Sequence, residues 1–195
     1  IPFKESDLWN GYPEETNAPY GIAKKTLMEM LIAYKNQYGF NSCNLIPVNM
    51  YGEWDSFDPR SSHVIPALIL KIAKAMDTMI DPEITIWGDG TASREFLYAS
   101  DCANAIVKAM EVETSPDPIN LGTGQEISIS DLVNKIAQIM SYKGLISFDS
   151  SRPNGQPRRC LDVSLAKERL GWQARTPLDL GLVHTVEWFY ANKEK

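Results

Sequence analysis

A chain of 195 residues with 44% hydrophobic and 23% charged residues is ordinary globular material, enough for one sizeable domain or for one domain plus part of another. Its formal charge of −6 and pI near 5.0 argue against a duplex nucleic-acid binder, which needs a cationic surface to displace phosphate counterions, so an anionic ligand must be held by local cations. The three cysteines, Cys43, Cys102 and Cys160, show no C-x-x-C or His/Cys spacing, which argues against a zinc site or a disulfide framework and for a reducing, cytoplasmic setting with no metal. No stretch reaches the roughly 20 apolar residues of a membrane span, and no signal peptide is visible.

In chain order, the first predicted element is a helix over 20–38. Apolar residues at Ile22, Ala23, Leu27, Met30, Leu31 and Tyr34 keep a helical period, Asn17 is placed to cap it, Pro19 falls in the first turn and Gly39 stops it. A short buried strand over 43–47 follows and runs into a loop. Further helices are predicted over 63–76, 100–112, 128–141 and 177–192, and strands over 84–87, 95–98, 118–121 and 145–148. Alternating helices and strands favour an α/β fold with some parallel pairing. The stretches "EWDSFDPRSS", "ETSPDP" and "SSRPNGQPRR" read as loops. "NLGTGQ" has two of the three glycines of a dinucleotide turn and reads as a turn before the 128–141 helix.

Tyr20 and Lys24 lie four apart on the first predicted helix, so their side chains share one face. A nearby ammonium favours the phenolate, making the hydroxyl a better acid toward a carbonyl oxygen that receives a hydride. By spacing alone the pair is weak evidence: 8 tyrosines and 12 lysines give about half a match by chance. A solvated helix end is the competing reading.

The wider context changes the balance. "PYGIAKK", the helix, the strand and then "PVNMYG" resemble the extended short-chain dehydrogenase/reductases, and "GDGTASREFLYASDCANAIVKAM", "INLGTGQEISISDL" and "LGWQARTPLDLGL" match in the same order. More narrowly, "PVNMYGEWDSFDPRSSHVIPALI", "WGDGTASREFLY" and "FDSSRPNGQPRRCLD" are similar to the GDP-L-fucose synthases, which epimerise GDP-4-keto-6-deoxy-mannose at C3 and C5 and reduce C4 with NADPH. The resemblance implies the C-terminal part of a Rossmann-type NAD(P)-binding domain plus a smaller α/β substrate-binding domain. Residues 1–60 would be the remnant of the dinucleotide-binding domain, and 61–195 mainly the substrate domain with a late Rossmann strand near 118–121.

By that resemblance Tyr20 is the proton donor in reduction and Lys24 its pKa-lowering, ribose-binding partner. Pro47, Val48, Asn49 and Met50 border the nicotinamide, and His63 is the acid of epimerisation, close to the cofactor. His63 is otherwise a polar residue at a helix start, after possible caps Ser61 and Ser62. Lys71, Trp87, Arg94 and Asn154 would contact a GDP-sugar, although Lys71 could equally be a solvated lysine, Trp87 a core residue, and Asn154 replaces the family's usual aspartate.

The resemblance also implies that the glycine-rich turn, a serine and an epimerisation-base cysteine lie upstream of Ile1, that the chain is about three-fifths of an NADP-dependent, homodimeric enzyme, and that it is inactive by itself. Two rivals stay open: another nucleotide-sugar 4-epimerase or 4,6-dehydratase, and a non-catalytic nucleotide-sugar-binding module.

Overall fold

The computed structural model of the chain describes residues 1–78, 82–112 and 114–193. Among them six α-helices and eight strands follow in the order α1 (Ala18–Tyr38), β1 (Asn44–Pro47), β2 (Asn49–Tyr51), α2 (Val64–Met76), β3 (Glu83–Trp87), β4 (Ser93–Tyr98), α3 (Ala99–Val112), β5 (Pro118–Leu121), β6 (Glu126–Ser128), α4 (Ile129–Ile139), β7 (Leu145–Asp149), β8 (Arg158–Arg159), α5 (Ser164–Leu170) and α6 (Leu178–Asn192). The five expected helices and five expected strands are all present, within a few residues at their ends. Of the expected 113–118 loop, Glu113 lies outside the described residues.

Parallel pairing dominates, as the alternation of elements requires. β1 pairs with β5, β2 with β4, β3 with β7, and β8 with β4, all parallel, while β6 runs antiparallel to β4. The strand pattern missed β2, β6 and β8 because each is only two or three residues long. The helix α5 was missed too, although Ala166 and Leu170 bury its inner side and Gly171 ends it in the left-handed conformation at φ 59°.

Strand β4 divides the interior. Phe96 and Tyr98 enter one apolar cluster with Ile65, Ile69 and Ile72 of α2, Leu132 and Ile136 of α4, and Leu182 and Phe189 of α6. Leu97 enters a second cluster with Val48, Ala105 and Ala109 of α3, Ile119 and Leu121 of β5, and Leu170 of α5. Alternate residues of a strand face opposite ways, so one strand serves both cores.

Glu95, on the same face as Leu97, is fully buried. Its Oε1 accepts N–H bonds from Thr123 at 2.5 Å and Gly124 at 2.8 Å, and its Oε2 accepts one from Leu161 at 2.7 Å. The "NLGTGQ" turn is therefore clamped on a carboxylate. A side chain at Gly122 would bring its Cβ within 2.2 Å of Glu95 Oε1, so only glycine fits there. Burial, and then the charge of Glu95, push the neighbouring Cys160 thiol up to about 11.

Helix α1 differs from the rest, because its predicted apolar stripe is not covered. Ile22, Leu27, Met30, Tyr34 and Tyr38 are exposed, and Ala18 alone among its described side chains is buried. Asn17 occupies the cap position, but its amide donates to Glu14 rather than capping the helix.

Glu95→Ala should lower the unfolding free energy by about 3 kcal/mol or more, because three backbone donors lose their acceptor at roughly 1–3 kcal/mol each. Urea denaturation followed by circular dichroism measures this. Glu95→Gln, which keeps one carbonyl oxygen, should fall between the two, and a loss in Glu95→Ala of only a few tenths of a kcal/mol would show that Glu95 does not hold the turn.

Candidate functional site

Tyr20 and Lys24 project from the first turns of α1 and meet. The Lys24 Nζ lies 5.5 Å from the Tyr20 ring centroid, within cation–π range, and Tyr20 is 68% exposed. The neighbouring Lys25 is occupied structurally: its Nζ donates to the Gly11 carbonyl at 3.0 Å and sits over the Trp9 ring. Residues 11–13 cross α1 at Gly21, where an added Cβ would stand 2.7 Å from Pro13 Cβ. The crossing strap commits one lysine and leaves the other to the tyrosine.

Pro47 to Met50 occupy the step between two sheets. Pro47 ends β1, which pairs with β5, and Asn49 begins β2, which pairs with β4. Between them Val48 is buried and donates its N–H to the Leu121 carbonyl at 2.9 Å. Asn49 donates its side-chain amide to the Glu95 carbonyl at 3.1 Å, while Pro47 and Met50 are exposed. Ligands of parallel α/β sheets gather at the carboxyl ends of the strands, and Pro47 is such an end.

His63 takes the N-cap position of α2 by its backbone, but its side chain does not cap the helix. Its imidazole Nδ1 faces Asp55 Oδ1 at 3.6 Å instead. The ring is therefore available for other work.

A cationic cluster forms where β3 and β7 end side by side, with Trp87 opposite Asp149. Trp87 is 69% exposed rather than in the core, and the Arg152 guanidinium lies 5.2 Å from its ring centroid while pairing with Asp149 at 3.7 Å. Lys71 reaches from α2 to donate to the Thr85 carbonyl at 2.6 Å, two residues before Trp87. Arg94 is half-buried and donates to the carbonyls of Ser93 at 2.7 Å and Gln156 at 2.6 Å. Burial, and then the charge of Arg159 opposite it in the β4–β8 register, lower the pKa of Arg94 from its ordinary value. Two adjacent guanidiniums, one partly desolvated, form a site that an anion would relieve. Arg158 differs, being paired with Glu126, whereas Arg159 has no ion pair among the described residues. Asn154 secures the overlying loop: its Oδ1 accepts the Asp89 N–H at 2.8 Å.

Trp87, Arg94, Lys71 and Asn154 thus lie on neighbouring elements, and Tyr20 touches Lys24. No hydrogen bond or ion pair among the described residues links the Tyr20–Lys24 pair to His63 or to the arginine cluster. Sequence reasoning did not single out Arg152, Arg159 or Asp55. The three arginines within "SSRPNGQPRR" were the visible signal for the first two, and nothing local marked Asp55. Among the described residues no group of three or more His, Cys, Asp or Glu side chains could hold a metal ion, and no helix is long and apolar enough to cross a membrane.

Residues 1–122 match the model of the NAD dependent epimerase/dehydratase family. The chain is 39% identical over 203 residues to the GDP-L-fucose synthase of Escherichia coli, covering 100% of this chain and 63% of that protein. It is 41% identical to the GDP-L-fucose synthase of Sinorhizobium fredii (98% and 60% covered) and 38% identical to the GDP-L-colitose synthase of Yersinia pseudotuberculosis (97% and 61%). It superposes on the crystal structure of a GDP-L-fucose synthetase from Naegleria fowleri with a TM-score of 0.92 at 28% identity, covering 100% of this chain and 61% of that one, and on its NADP-bound form with 0.90. The fold is the Rossmann-type α/β fold of NAD(P)-dependent epimerases and reductases. The chain spans about three-fifths of the length of the relatives it matches.

Asn154→Ala should free the Asp89 amide, raising its hydrogen-exchange rate about fivefold, the equivalent of ~1 kcal/mol for one hydrogen bond. Asn154→Asp keeps the accepting oxygen and should leave that amide protected. Equal exchange in the wild type and Asn154→Ala would show that Asn154 does not secure the loop.

Proposed function

Because this chain belongs to the NAD dependent epimerase/dehydratase family, we propose that it supplies the catalytic helix and the substrate side of an NADP-dependent nucleotide-sugar epimerase/reductase of the GDP-L-fucose synthase type. The observation that carries this reading is the Tyr20–Lys24 contact, an ammonium 5.5 Å from the centroid of a solvent-facing phenol ring. The substrate class follows from the names of the relatives, from the paired Arg94 and Arg159 of β4 and β8, which suit a pyrophosphate, and from the exposed Trp87 ring, which suits a planar base.

Pro47 and Met50, exposed at a strand end beside buried Val48, fit the nicotinamide side of a dinucleotide, with Asn49 held by the Glu95 carbonyl and His63 near the cofactor. Bound NADPH would supply the hydride. Tyr20 then delivers its phenolic proton to the C4 oxygen of the keto sugar. Lys24 stabilises the phenolate left behind and holds the ribose hydroxyls. His63 donates a proton to the sugar carbon during epimerisation, a role suited to an imidazole, which can carry and give up a proton. Lys71, Trp87, Arg94 and Asn154 hold the GDP-sugar.

In this reading residues 1–60 belong to the cofactor domain, and 61–195 mainly to the substrate domain, with β5 returning to the cofactor side. The β1–β5 pairing supports that return, and the second apolar cluster extends the cofactor side to α3 and α5. The exposed stripe of α1, with Leu27, Met30 and Tyr34, supports a homodimer built on that helix. The reading includes a cytoplasmic setting and no nucleic-acid or membrane partner.

In the whole enzyme Tyr20→Phe should cut NADPH oxidation by the ~10²–10⁴-fold that general acid catalysis supplies, while GDP-sugar affinity holds. Steady-state absorbance at the reduced-nicotinamide band, with calorimetric titration of the sugar nucleotide, separates the two effects. Turnover within about tenfold of wild type would remove Tyr20 from the chemistry.

A further inference from the structure

The loop from Gly52 to Ser62, between β2 and α2, carries three carboxylates. Two are committed within the fold. Glu53 accepts the Tyr98 hydroxyl at 2.6 Å, and Asp58 holds Arg60 through both of its oxygens at 3.1 Å and 2.9 Å. The third, Asp55, faces His63 at 3.6 Å, and its side chain is 16% exposed against 80% for the imidazole. Its Oδ1 also accepts the Ser56 N–H at 2.8 Å, which fixes the carboxylate's orientation.

The backbone around Asp55 is held from both sides. Trp54 adopts a left-handed conformation, φ 69°, which costs free energy for a side chain of this size and persists only where the surroundings impose it. Its indole packs on Trp188 of α6 at 5.4 Å between centroids. Phe57 lies on the same Trp188 at 6.0 Å and on Phe189 at 4.8 Å. Aromatic contacts on α6 thus flank Asp55 on either side in sequence, and the residue between them is aimed at the histidine.

We propose that Asp55 is a positioning residue for His63: its carboxylate, 3.6 Å from Nδ1 and so beyond hydrogen-bond length, favours the proton on that nitrogen by its charge and leaves Nε2 as the nitrogen that exchanges a proton with substrate. The proposal rests on the reading of His63 as the epimerisation acid. The imidazolium gives its Nε2 proton to the sugar carbon, whose electron pair takes it. The ring left behind is the neutral Nδ1–H form, the tautomer that Asp55 favours. A base on Nδ1 selects the reactive nitrogen, as in other oriented imidazoles.

The test uses the protein labelled with ¹⁵N-histidine, observed at about pH 9, where free imidazole is neutral. The His63 signals are identified by their loss in His63→Gln. Wild-type His63 should be protonated at Nδ1. Asp55→Ala should move it to the Nε2–H form that free imidazole prefers, and Asp55→Asn, which keeps an accepting oxygen without the charge, should retain Nδ1–H in part. Unchanged His184 signals, from a ring whose Nδ1 lies 3.4 Å from the Tyr98 hydroxyl, report an intact fold. In the same variants made in the whole enzyme, deuterium uptake from solvent at C3 and C5 of the GDP-keto sugar should fall about tenfold or more in Asp55→Ala, part of the ~10²–10⁴-fold effect of general acid catalysis, and less in Asp55→Asn. A wild-type tautomer in Asp55→Ala, or undiminished uptake despite a changed tautomer, would overturn the positioning role. Undiminished uptake in His63→Gln would overturn the acid assignment itself, leaving the tautomer result to stand or fall separately.

Discussion

A carboxylate with nowhere to go but the backbone organises the centre of this molecule. Glu95 is fully buried, where an unpaired charge would be severely penalised, so its lone pairs must be filled by N–H donors. The donors come from Thr123, Gly124 and Leu161, which are distant in sequence from Glu95. Meeting them fixes the turn after β5 and the entry to α5 against β4. The same constraint reaches the surface. Residues 158–161 run from β8 to the Leu161 amide, so the carboxylate that satisfies Leu161 also holds Arg159 in register with Arg94. The cationic cluster is thus attached to the most buried carboxylate among the described residues.

The fold was legible wherever amphipathic periodicity ran long enough to count. Helices α2, α4 and α6 each bury an apolar face in the first core, and the period of 3.6 shows that face without help from tertiary context. Strands β2, β6 and β8 are too short for alternation to register, and their existence depends on β4 offering partners. Tyr20 with Lys24 was legible because i and i+4 necessarily share a helix face. Trp87 was named by the resemblance, but its place at a strand end by itself favoured the core, and only the tertiary structure shows it in solvent. Glu95 and Asp55 were invisible for a common reason: what distinguishes them from any other acidic residue is which distant groups they meet.

The overall charge and the local charge of this protein have opposite signs, and the structure shows how both are kept. Several carboxylates are consumed by local caps and ion pairs: Asp58 by Arg60, Glu126 by Arg158, Asp162 by Ser164. Their pKa values are lowered, with side-chain hydrogen bonds as the largest cause in each case. Arg94 and Arg159 are not among the cations neutralised in this way, so a chain of −6 presents a positive spot where β4 pairs with β8. The local sign of the surface is therefore a matter of which pairs are left unmade rather than of net composition.

The parity of β4 has a consequence for how this chain can change over evolutionary time. Arg94, Phe96 and Tyr98 face one way, and Glu95 and Leu97 the other, so the Arg94 guanidinium, aromatic core, acceptor carboxylate and second core are interleaved along a single strand. Substitutions at any one of these positions damage one function at a time. An insertion or deletion of one residue would exchange the two faces together, carrying Glu95 into the aromatic core and Phe96 toward the turn's amide donors. Length in this strand should therefore be far less variable than side-chain identity, and neighbouring loops are where the lineage is free to lengthen or shorten.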